Sequence, residues 1–294
     1  MVQSLRSCPP PPARRAACGR CARRRKLRVR LRGYSLIVDA FLYYDELDLL
    51  EVRLRELDAV VDVFILVEAT QTFSGRPKPA HFVRQRRDPR LQPYLHRIVH
   101  VIVDELPGES PRTREQYQRN QIARGLALLP ELRDDDLLIV ADVDEIPRAE
   151  AVALIRDTPD FRSRQGALGL TWYVHSLHCR VLGTHFGARV LPFGMFTNAA
   201  ELRRLRQTFP DEYALPKAGW HCSYFGMGPA ALRARLLDLG AVEQVDPEAL
   251  TDERLHAAQR NCGWYTEDGF ERVRVDPLDI PAAMRADPAA WGLA

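Results

Sequence analysis

Four short, mostly apolar runs in the first half of the chain, each closely followed by an acidic residue, constrain the fold more than any other feature. They span residues 35–38, 63–67, 98–103 and 137–140. Leucines at helical spacing separate the first two runs, and a second helical pattern covers residues 115–129. Strands that alternate with helices pair in parallel through crossover connections. The sequence therefore predicts an α/β fold, in which one mixed sheet is flanked by helices within a single domain.

The acidic residues that follow these runs are predicted to gather at one edge of the sheet. They are Asp39, Glu68, Asp104 and Asp142. The carboxyl ends of parallel strands share an edge, and open α/β sheets bind their ligands there. A capping role would explain any one of these carboxylates, whereas four together favour a ligand site.

Asp142 and Asp144 stand one residue apart at the exit of the fourth run. Because side chains alternate along a strand, both carboxylates are expected to face the same way, with Val143 turned toward the core. Mg²⁺ and Mn²⁺ prefer oxygen ligands and bind through one or two carboxylates together with phosphate oxygens. We therefore predict that these aspartates hold a divalent metal, Mn²⁺ or Mg²⁺, although such a pair taken alone is also common in solvated turns.

Basic residues are concentrated at the amino-terminal end. Residues 1–32 contain 11 of the 42 Lys and Arg residues and no acid, so the rest of the chain carries 31 basic against 39 acidic residues. An acidic body is not a nucleic-acid-binding surface, so no nucleic-acid partner is expected. Residues 1–33, rich in Pro and Arg, are predicted to form a disordered tail. Within it, Cys18 and Cys21 make half of a zinc site that lacks a second pair nearby.

Cysteine usage and hydropathy bear on the compartment. Only Cys179, Cys222 and Cys262 lie beyond the tail, a number that indicates no disulfide framework and favours a reducing compartment. The chain contains no run of about 18 apolar residues, so we predict no transmembrane segment. We expect a cytoplasmic protein, either free or peripheral at the inner face of the membrane.

The second half of the chain is less regular. Strands are predicted at residues 168–174 and 188–191, and a helix is predicted at residues 229–239. We assign residues 34–275 to the folded domain and the Pro-containing residues 276–294 to a tail on its surface.

Several ordered blocks of this sequence match the pattern of one enzyme family. The blocks are Asp39-Ala40-Phe41, Glu46-Leu47-Asp48-Leu49-Leu50-Glu51, Val67-Glu68-Ala69-Thr70, Lys78-Pro79, Arg119-Asn120, Asp142-Val143-Asp144-Glu145-Ile146-Pro147 and Gly219-Trp220-His221-Cys222-Ser223. Residues 39–224 thereby resemble glycosyltransferase family 17, the family of the β-1,4-mannosyl-glycoprotein β-1,4-N-acetylglucosaminyltransferase. The Arg- and Ala-rich composition favours a bacterial homologue.

The resemblance implies a GT-A-like fold, a Rossmann-type mixed sheet that binds a nucleotide sugar at the carboxyl ends of its strands. It implies inverting transfer of GlcNAc from UDP-GlcNAc, in β-1,4 linkage, to a hydroxyl of a carbohydrate acceptor. Asp142 and Asp144 would then be the metal-binding Asp-x-Asp motif, and the metal would assist the departure of UDP. His221 is a candidate further metal ligand, with a packed and hydrogen-bonded histidine as the alternative.

The resemblance and the strand positions also suggest residues that bind the donor. Asp39 and Glu68 are candidates for hydrogen bonds to uracil or ribose, with a capping role as the alternative. Arg119 and Asn120 are candidates for contact with the nucleotide, although Arg119 would also suit a solvated helix face. Asp142 completes the predicted donor-binding set.

Inverting transfer needs a carboxylate base within about 3 Å of the attacking oxygen. Glu145, beside the metal motif, matches the family pattern but would also suit a role in fixing the loop. Asp211 and Glu212 precede His221 in the chain, and Glu243 is a further option. The choice among these carboxylates stays open.

Departures from the family pattern leave the acceptor open and keep two rival functions in view. The best-known relatives are Golgi proteins with a membrane anchor, which is not expected here, and residues 239–244 lack a His that the family pattern has. A metal-dependent phosphohydrolase is one rival, but it would carry its Asp-x-Asp pair on the first strand. A non-catalytic sugar-binding module is the other, and the intact Asp142 and Asp144 argue against it.

Overall fold

One sheet with helices on both faces makes up the fold of the computed structural model, which describes residues 35–204, 213–240, 246–263 and 271–292. Within these ranges the sheet has ten strands: β1 (Ile37–Leu42), β2 (Val63–Ala69), β3 (Ile98–Val103), β4 (Leu137–Asp142), β5 (Glu145–Pro147), β6 (Gly166–Val174), β7 (Cys179–Arg180), β8 (Arg189–Pro192), β9 (Tyr213–Ser223) and β10 (Glu271–Arg272). The α-helices of the same ranges are α1 (Leu47–Leu57), α2 (His81–Gln85), α3 (Pro111–Asn120), α4 (Ile122–Leu126), α5 (Ala149–Asp157), α6 (Pro159–Arg162), α7 (Ala199–Arg204), α8 (Pro229–Leu239), α9 (Asp252–Asn261) and α10 (Ala282–Ala286).

The strand order places a topological switch beside β1. Strands β3, β2, β1 and β4 pair in parallel in that order, so the chain runs outward from β1 to β3 and then returns to its other side. Strand β8 pairs antiparallel with β4 and then with β6, while β9 runs parallel to β6 and antiparallel to β5. The predicted mixed α/β sheet flanked by helices is confirmed. Ligands of such sheets bind at the switch, outside the carboxyl ends of the strands.

Both faces of the parallel strands are buried, as expected when crossover helices cover a sheet on both sides. Phe41 and Ile139 belong to the core that the leucines of α1 and the apolar face of α5 complete. Ile65 and Val140 belong to the core on the opposite face, which α4 and α7 cover. Alternation along each strand sends successive side chains to these two cores.

The first two strands are longer than predicted, and two acidic residues lie inside them. Asp39 is the third residue of β1, paired in register with Phe64 and Ile139, and Glu68 is the sixth residue of β2. The prediction that both acids follow their strands is therefore wrong. Each carboxylate is fully buried and has a cationic or hydrogen-bonding partner, which is the condition under which a strand tolerates a buried charge.

The single helix predicted for residues 115–129 is two helices. α3 begins earlier, because Ser110 caps it in a capping box with Thr113 and Pro111 occupies the first turn, where a missing N–H costs nothing. Gln121 ends α3 and precedes α4. Glu115, Gln118 and Arg119 of α3 line the cavity described below.

The carboxyl-terminal segment packs more deeply than a surface tail would. Ile280 and Met284 are buried in a core that also contains Val52 of α1 and Trp220 of β9. Nε1 of Trp220 donates to the carbonyl oxygen of Asp279 at 2.9 Å. Residues 276–292 therefore help to hold α1 against the second half of the sheet.

A disulfide joins Cys179 of β7 to Cys262, the residue after α9, across 83 positions of the sequence. The expectation that the cysteines of the body stay unpaired is therefore wrong for these two. Cys222 is free and buried. The predicted cytoplasmic location stays a prediction.

Among the residues that the structure describes, no helix has the length and apolar character needed to cross a membrane. The predicted tail at residues 1–33, with Cys18 and Cys21, lies outside the described residues.

Candidate active site

A cavity of about 580 Å³ opens at the carboxyl ends of β1 and β4, beside the switch in strand order. Its volume lies within the range of ordinary small-molecule sites. The charged and imidazole groups that matter most along its wall are Glu46, Arg119, Asp142, Asp144, His221 and Arg235. The predicted Asp-x-Asp pair thus borders a well-formed cavity at the expected edge of the sheet.

Asp142 and Asp144 both border the cavity, but their carboxylates have different partners. Oδ1 of Asp142 lies 2.8 Å from Nη1 of Arg119, and its Oδ2 contacts Nη2 of Arg203. The side chain of Asp144 is 25% exposed, and its Oδ2 lies 3.3 Å from Nε2 of His221. Two guanidinium groups neutralise Asp142, whereas Asp144 presents a carboxylate to whatever occupies the cavity.

Arg53 fixes the turn that carries these aspartates from beneath. Its Nε and Nη2 donate to the two oxygens of Asp39 at 2.7 and 2.6 Å, and both side chains are fully buried. Its Nη1 donates to the carbonyl oxygens of Asp142 and Glu145 at 2.9 and 2.7 Å. Asp39 therefore neutralises the arginine that shapes the turn. It does not line the cavity, which argues against its predicted contact with the donor.

Glu145 is enclosed by its own partners. Its Oε1 lies 2.7 Å from Nε2 of His185, and its Oε2 accepts from the amide of Asp142 at 2.8 Å and from Nη1 of Arg203 at 2.5 Å. Burial lowers the pKa of His185, against the hydrogen bond to Glu145. A Cβ atom at Gly187 would meet Oε1 of Glu145 at 1.8 Å, so this contact requires glycine. This candidate base is thus buried below the turn and has no exposed surface.

His221 reaches the cavity from β9, which pairs with β5 so that His221 lies opposite Glu145. Its ring stacks on Trp172, with centroids 5.4 Å apart and planes 14° apart, and its Nε2 lies 3.0 Å from Oγ of Ser223. Its Nδ1 is buried and has no hydrogen-bond partner among the described residues. The ring is therefore packed, as one prediction held, yet it keeps a nitrogen that a ligand would satisfy.

The residues around Asp144 fit a divalent cation. Ligand atoms of Glu145, His185 and His221 all lie within 4.8 Å of one another. Carboxylate oxygens together with imidazole nitrogens suit first-row divalent metals. Asp142 fits a metal less well than predicted, because two arginines already hold its carboxylate.

Glu68 and Asn120 lie away from the cavity. Glu68 accepts a hydrogen bond from the second amide of α2 at 3.2 Å, and its other oxygen lies 2.6 Å from Nε2 of His100. Oδ1 of Asn120 accepts from the amide of Ala200 at the start of α7 at 2.9 Å. Both side chains position helices, which is the capping alternative for Glu68. Of the predicted Arg119–Asn120 pair, Arg119 reaches the cavity.

The base candidates that sequence analysis left open are placed only in part. Asp211, Glu212 and Glu243 lie outside the described residues. Glu145 is the remaining candidate, and its burial argues against proton transfer with a substrate in the cavity. The assignment of a base to these residues stays a prediction.

Next to α8, paired charges and an aromatic ring form a further part of the wall. Nη2 of Arg235 donates to Oε1 of Glu46 at 2.5 Å, and the guanidinium lies 4.2 Å from the ring centroid of Tyr44. Nζ of Lys78 lies 4.8 Å from the same centroid. Burial raises the pKa of the Glu46 carboxyl, against the charge of Arg235, and burial lowers the pKa of Lys78.

Five residues of this site were not predicted from sequence: Glu46, Lys78, His185, Arg203 and Arg235. Glu46 and Lys78 lie in blocks that match the family pattern, and this match is the one sequence signal that points to them. His185 and Arg203 lie in the irregular second half, where no periodic pattern marks them. Arg235 belongs to a helix that was predicted correctly, without any sign of which residues would face a cavity.

Comparison with solved structures finds only weak similarity. The match with the crystal structure of 4-diphosphocytidyl-2C-methyl-D-erythritolsynthase from Anaerococcus prevotii covers 62% of this chain and 87% of the synthase chain. Its TM-score is 0.34 and its sequence identity is 11%. The match with the apo structure of the WbbM bifunctional glycosyltransferase covers 46% of this chain and 23% of the WbbM chain. Its TM-score is 0.27 and its sequence identity is 13%.

Comparison of sequences is more specific. The rat and human β-1,4-mannosyl-glycoprotein 4-β-N-acetylglucosaminyltransferases are each 26% identical to this chain over 216 residues, which is 64% of this chain. The chain spans 40% of the length of these relatives. The profile of glycosyltransferase family 17 matches residues 23–227, well over half of the chain. The predicted family is confirmed, and the chain belongs to glycosyltransferase family 17.

Proposed function

We propose that the protein transfers GlcNAc from UDP-GlcNAc to a carbohydrate hydroxyl with inversion at the anomeric carbon, forming a β-1,4 linkage. The observation that carries this proposal is the cavity at the strand switch, where Asp144 and His221 lie side by side within the part of the chain that matches the family. The names of the rat and human relatives suggest a β-1,4-mannosyl glycan as the acceptor.

Transfer places negative charge on the departing diphosphate, so the site needs positive charge at the cavity. Asp144 and His221 are the proposed ligands of a divalent cation, Mn²⁺ or Mg²⁺, and ligand atoms of His185 and Glu145 lie within 4.8 Å of one on His221. When bound, the cation supplies Lewis-acid stabilisation of the leaving diphosphate. Lys78 adds an ammonium group on the cavity wall, which is able to donate hydrogen bonds to phosphate oxygens.

Arg119 and Asp142 are the members of the predicted donor-binding set that we retain. Arg119 is almost fully buried, and it is held between Asp142 and Glu115, whose Oε1 lies 2.7 Å from Nη2. A guanidinium fixed on both sides is preorganised, so little entropy is lost when it meets a ligand. We propose that this pair positions the nucleotide, while Asp39, Glu68 and Asn120 act through the scaffold.

The test is a calorimetric titration of UDP with Mn²⁺ and with excess chelator. Wild-type protein is expected to bind UDP at least about tenfold more tightly with the metal. Asp144→Asn is expected to remove that difference. Asp104→Asn is the matched control, because this exposed acid follows β3 and does not line the cavity. Equal affinity with and without metal in the wild-type protein would contradict the proposal.

A second assay separates the rival functions. UDP-GlcNAc is incubated with a neutral mannosyl glycopeptide, and UDP, UMP, GlcNAc-1-phosphate and glycosylated product are measured. The transferase is expected to release UDP in step with the product. A phosphohydrolase would cleave the diphosphate to UMP and GlcNAc-1-phosphate without glycosylated product, and a sugar-binding module would release none of these.

A further inference from the structure

A second cavity, of about 860 Å³, adjoins the donor cavity and shares a wall with it. We call it the second groove. Residues of α1, α8 and the carboxyl-terminal segment line it, and the shared wall contains Tyr44, Glu46, Met227 and Arg235. A transferase needs two adjoining sites, because the attacking hydroxyl must meet the anomeric carbon of the donor within bonding reach.

The lining of the second groove suits an uncharged sugar chain. Phe225 and Trp291 lie along it with ring centroids 6.4 Å apart, and aromatic faces pack against the C–H faces of sugar rings. Carboxylates also line the groove, and a carboxylate accepts hydrogen bonds from sugar hydroxyls. The combination of flat apolar faces with carboxylates matches an oligosaccharide better than a lipid or an anionic ligand.

The charge of the second groove argues against an acidic ligand. Five carboxylates line it: Asp45, Glu46, Asp48, Glu51 and Asp287. Three arginines oppose them, namely Arg55, Arg90 and Arg235. Arg90 already pairs with Asp48 and Glu51 at 2.8 and 3.0 Å, so little positive charge is left for a bound anion.

Glu46 is the one carboxylate, among the described residues, that lines both cavities. Its Oε1 accepts from Arg235 at 2.5 Å, and its Oε2 accepts from the amides of Tyr44 and Asp45 at 3.1 Å each. A carboxylate has about four lone-pair positions, so one remains for a substrate hydroxyl. Burial favours the protonated form of this carboxyl and so makes its anion a stronger base than an exposed one.

We infer that the second groove binds a neutral oligosaccharide acceptor and that Glu46 takes the proton of the attacking hydroxyl. This inference rests on the proposed function. The acceptor oxygen forms a bond to the anomeric carbon while the bond from that carbon to the diphosphate oxygen breaks. The electron pair of the broken bond leaves with UDP, and the hydroxyl proton passes to the carboxylate of Glu46.

The first test fills the second groove without touching the core. Ala290 is exposed and lines the groove, whereas its neighbour Ala289 is exposed and does not. Ala290→Trp is expected to raise KM for the neutral mannosyl glycopeptide at least about tenfold, with the Kd for UDP unchanged. Ala289→Trp is the matched control and is expected to leave both constants unchanged. Equal KM values in the two variants would overturn the assignment of the groove.

A second measurement tests the role of Glu46. Glu46→Gln is expected to lower kcat for transfer about a hundredfold while the Kd for UDP changes less than about threefold. A structural role would instead lower Tm and weaken UDP binding together with kcat. Retention of wild-type kcat in Glu46→Gln would overturn the base assignment.

Failure of the inference is distinguishable from failure of the proposed function. Wild-type protein that binds UDP with metal but transfers only to a sialylated form of the glycopeptide, and not to the neutral form, would overturn the groove assignment alone. Absence of metal-dependent UDP binding in the wild-type protein would overturn the proposed function and, with it, this inference.

Discussion

Two sets of charged residues meet at the Asp142–Asp144 turn, and they use their charge differently. The supporting layer, beneath the turn, consists of Asp39, Arg53 and Glu145, together with Arg203, which also reaches the cavity. The cavity wall, above it, consists of Glu46, Lys78, Asp144, His221 and Arg235. In the supporting layer both charges of each pair are almost fully buried and bonded to each other. On the wall, Asp144 keeps 25% of its side chain exposed.

The contrast in burial between the two sets separates structural charge from functional charge in this fold. Removing one member of a buried ion pair leaves the other unpaired at a large cost in stability. A charge on the wall has bonding capacity left for a ligand, so its removal is expected to affect binding more than folding. Mutations in the two sets should therefore divide between loss of stability and loss of activity.

The largest expected effect is in the supporting layer. Arg53→Met would leave Asp39 buried without its partner and would free three carbonyl oxygens of the turn. We expect the free energy of unfolding to fall by about 3–5 kcal/mol in urea denaturation. Arg55→Met is the matched control on the same helix, and it should cost under about 0.5 kcal/mol because that side chain is 43% exposed. Similar losses in both variants would contradict the role assigned to the supporting layer.

The second prediction concerns the disulfide between Cys179 and Cys262. Cys262→Ser opens the bond that ties α9 to β7, and we expect a loss of about 2–4 kcal/mol. Dithiothreitol should lower the Tm of the wild-type protein to about the Tm of Cys262→Ser. The reductant should leave the Tm of Cys262→Ser unchanged, which separates this bond from any other effect of the reagent. A wild-type Tm that does not respond to reduction would contradict the pairing.

The third prediction compares the two aspartates directly. Asp142→Asn weakens the bonds to two guanidinium groups, and we expect it to lower stability by about 1–3 kcal/mol. Asp144→Asn should change stability by less than about 1 kcal/mol while removing the metal dependence of UDP binding. Thermal unfolding and UDP titration of both variants check this. The reverse pattern, with Asp144→Asn the less stable variant, would contradict the different roles assigned to the two aspartates.

Local patterns in the sequence were sufficient to predict the parallel part of the sheet. The bounds of β3 and α8 match the predicted ranges 98–103 and 229–239. The prediction of β3 depends on a contiguous apolar run, and that of α8 depends on a helical repeat. Both patterns are formed by residues that are neighbours in the sequence. The same patterns placed Asp142 at the end of β4, since the acid follows an uninterrupted buried run.

The site was harder to predict because its partners are distant in sequence. Asp39 was predicted to end a strand, because a charged residue is not expected inside a buried one. Its neutralisation by Arg53 depends on how α1 packs beneath β1, which the sequence does not reveal. Arg203 lies 61 positions from Asp142, and His185 lies 40 from Glu145. Such pairs form only when the irregular second half folds back on the sheet, and a single sequence contains no periodic signal for that arrangement. The family pattern led to His221, whereas composition and spacing alone did not.

The smallest expected effect is a pH dependence on the wall side, at His175, which lines the second groove. Burial lowers the pKa of His175 below its usual 6.5, against a hydrogen bond to the carbonyl oxygen of Gly263. Because the folded-state pKa lies below the unfolded one, the unfolded chain binds more protons as pH falls from about 6.5, and stability declines over that range. The effect is expected to be small, because one imidazole binds a single proton.

His175→Gln tests this pH dependence, because glutamine keeps an N–H donor but does not titrate. The Tm of the variant should fall less than the wild-type Tm between pH 7.5 and 5.5, about one pH unit on either side of the ordinary histidine pKa. His81 and His185 also have lowered pKa values and remain in both proteins, so the comparison isolates His175. Parallel Tm curves for the two proteins would show that His175 does not titrate with folding.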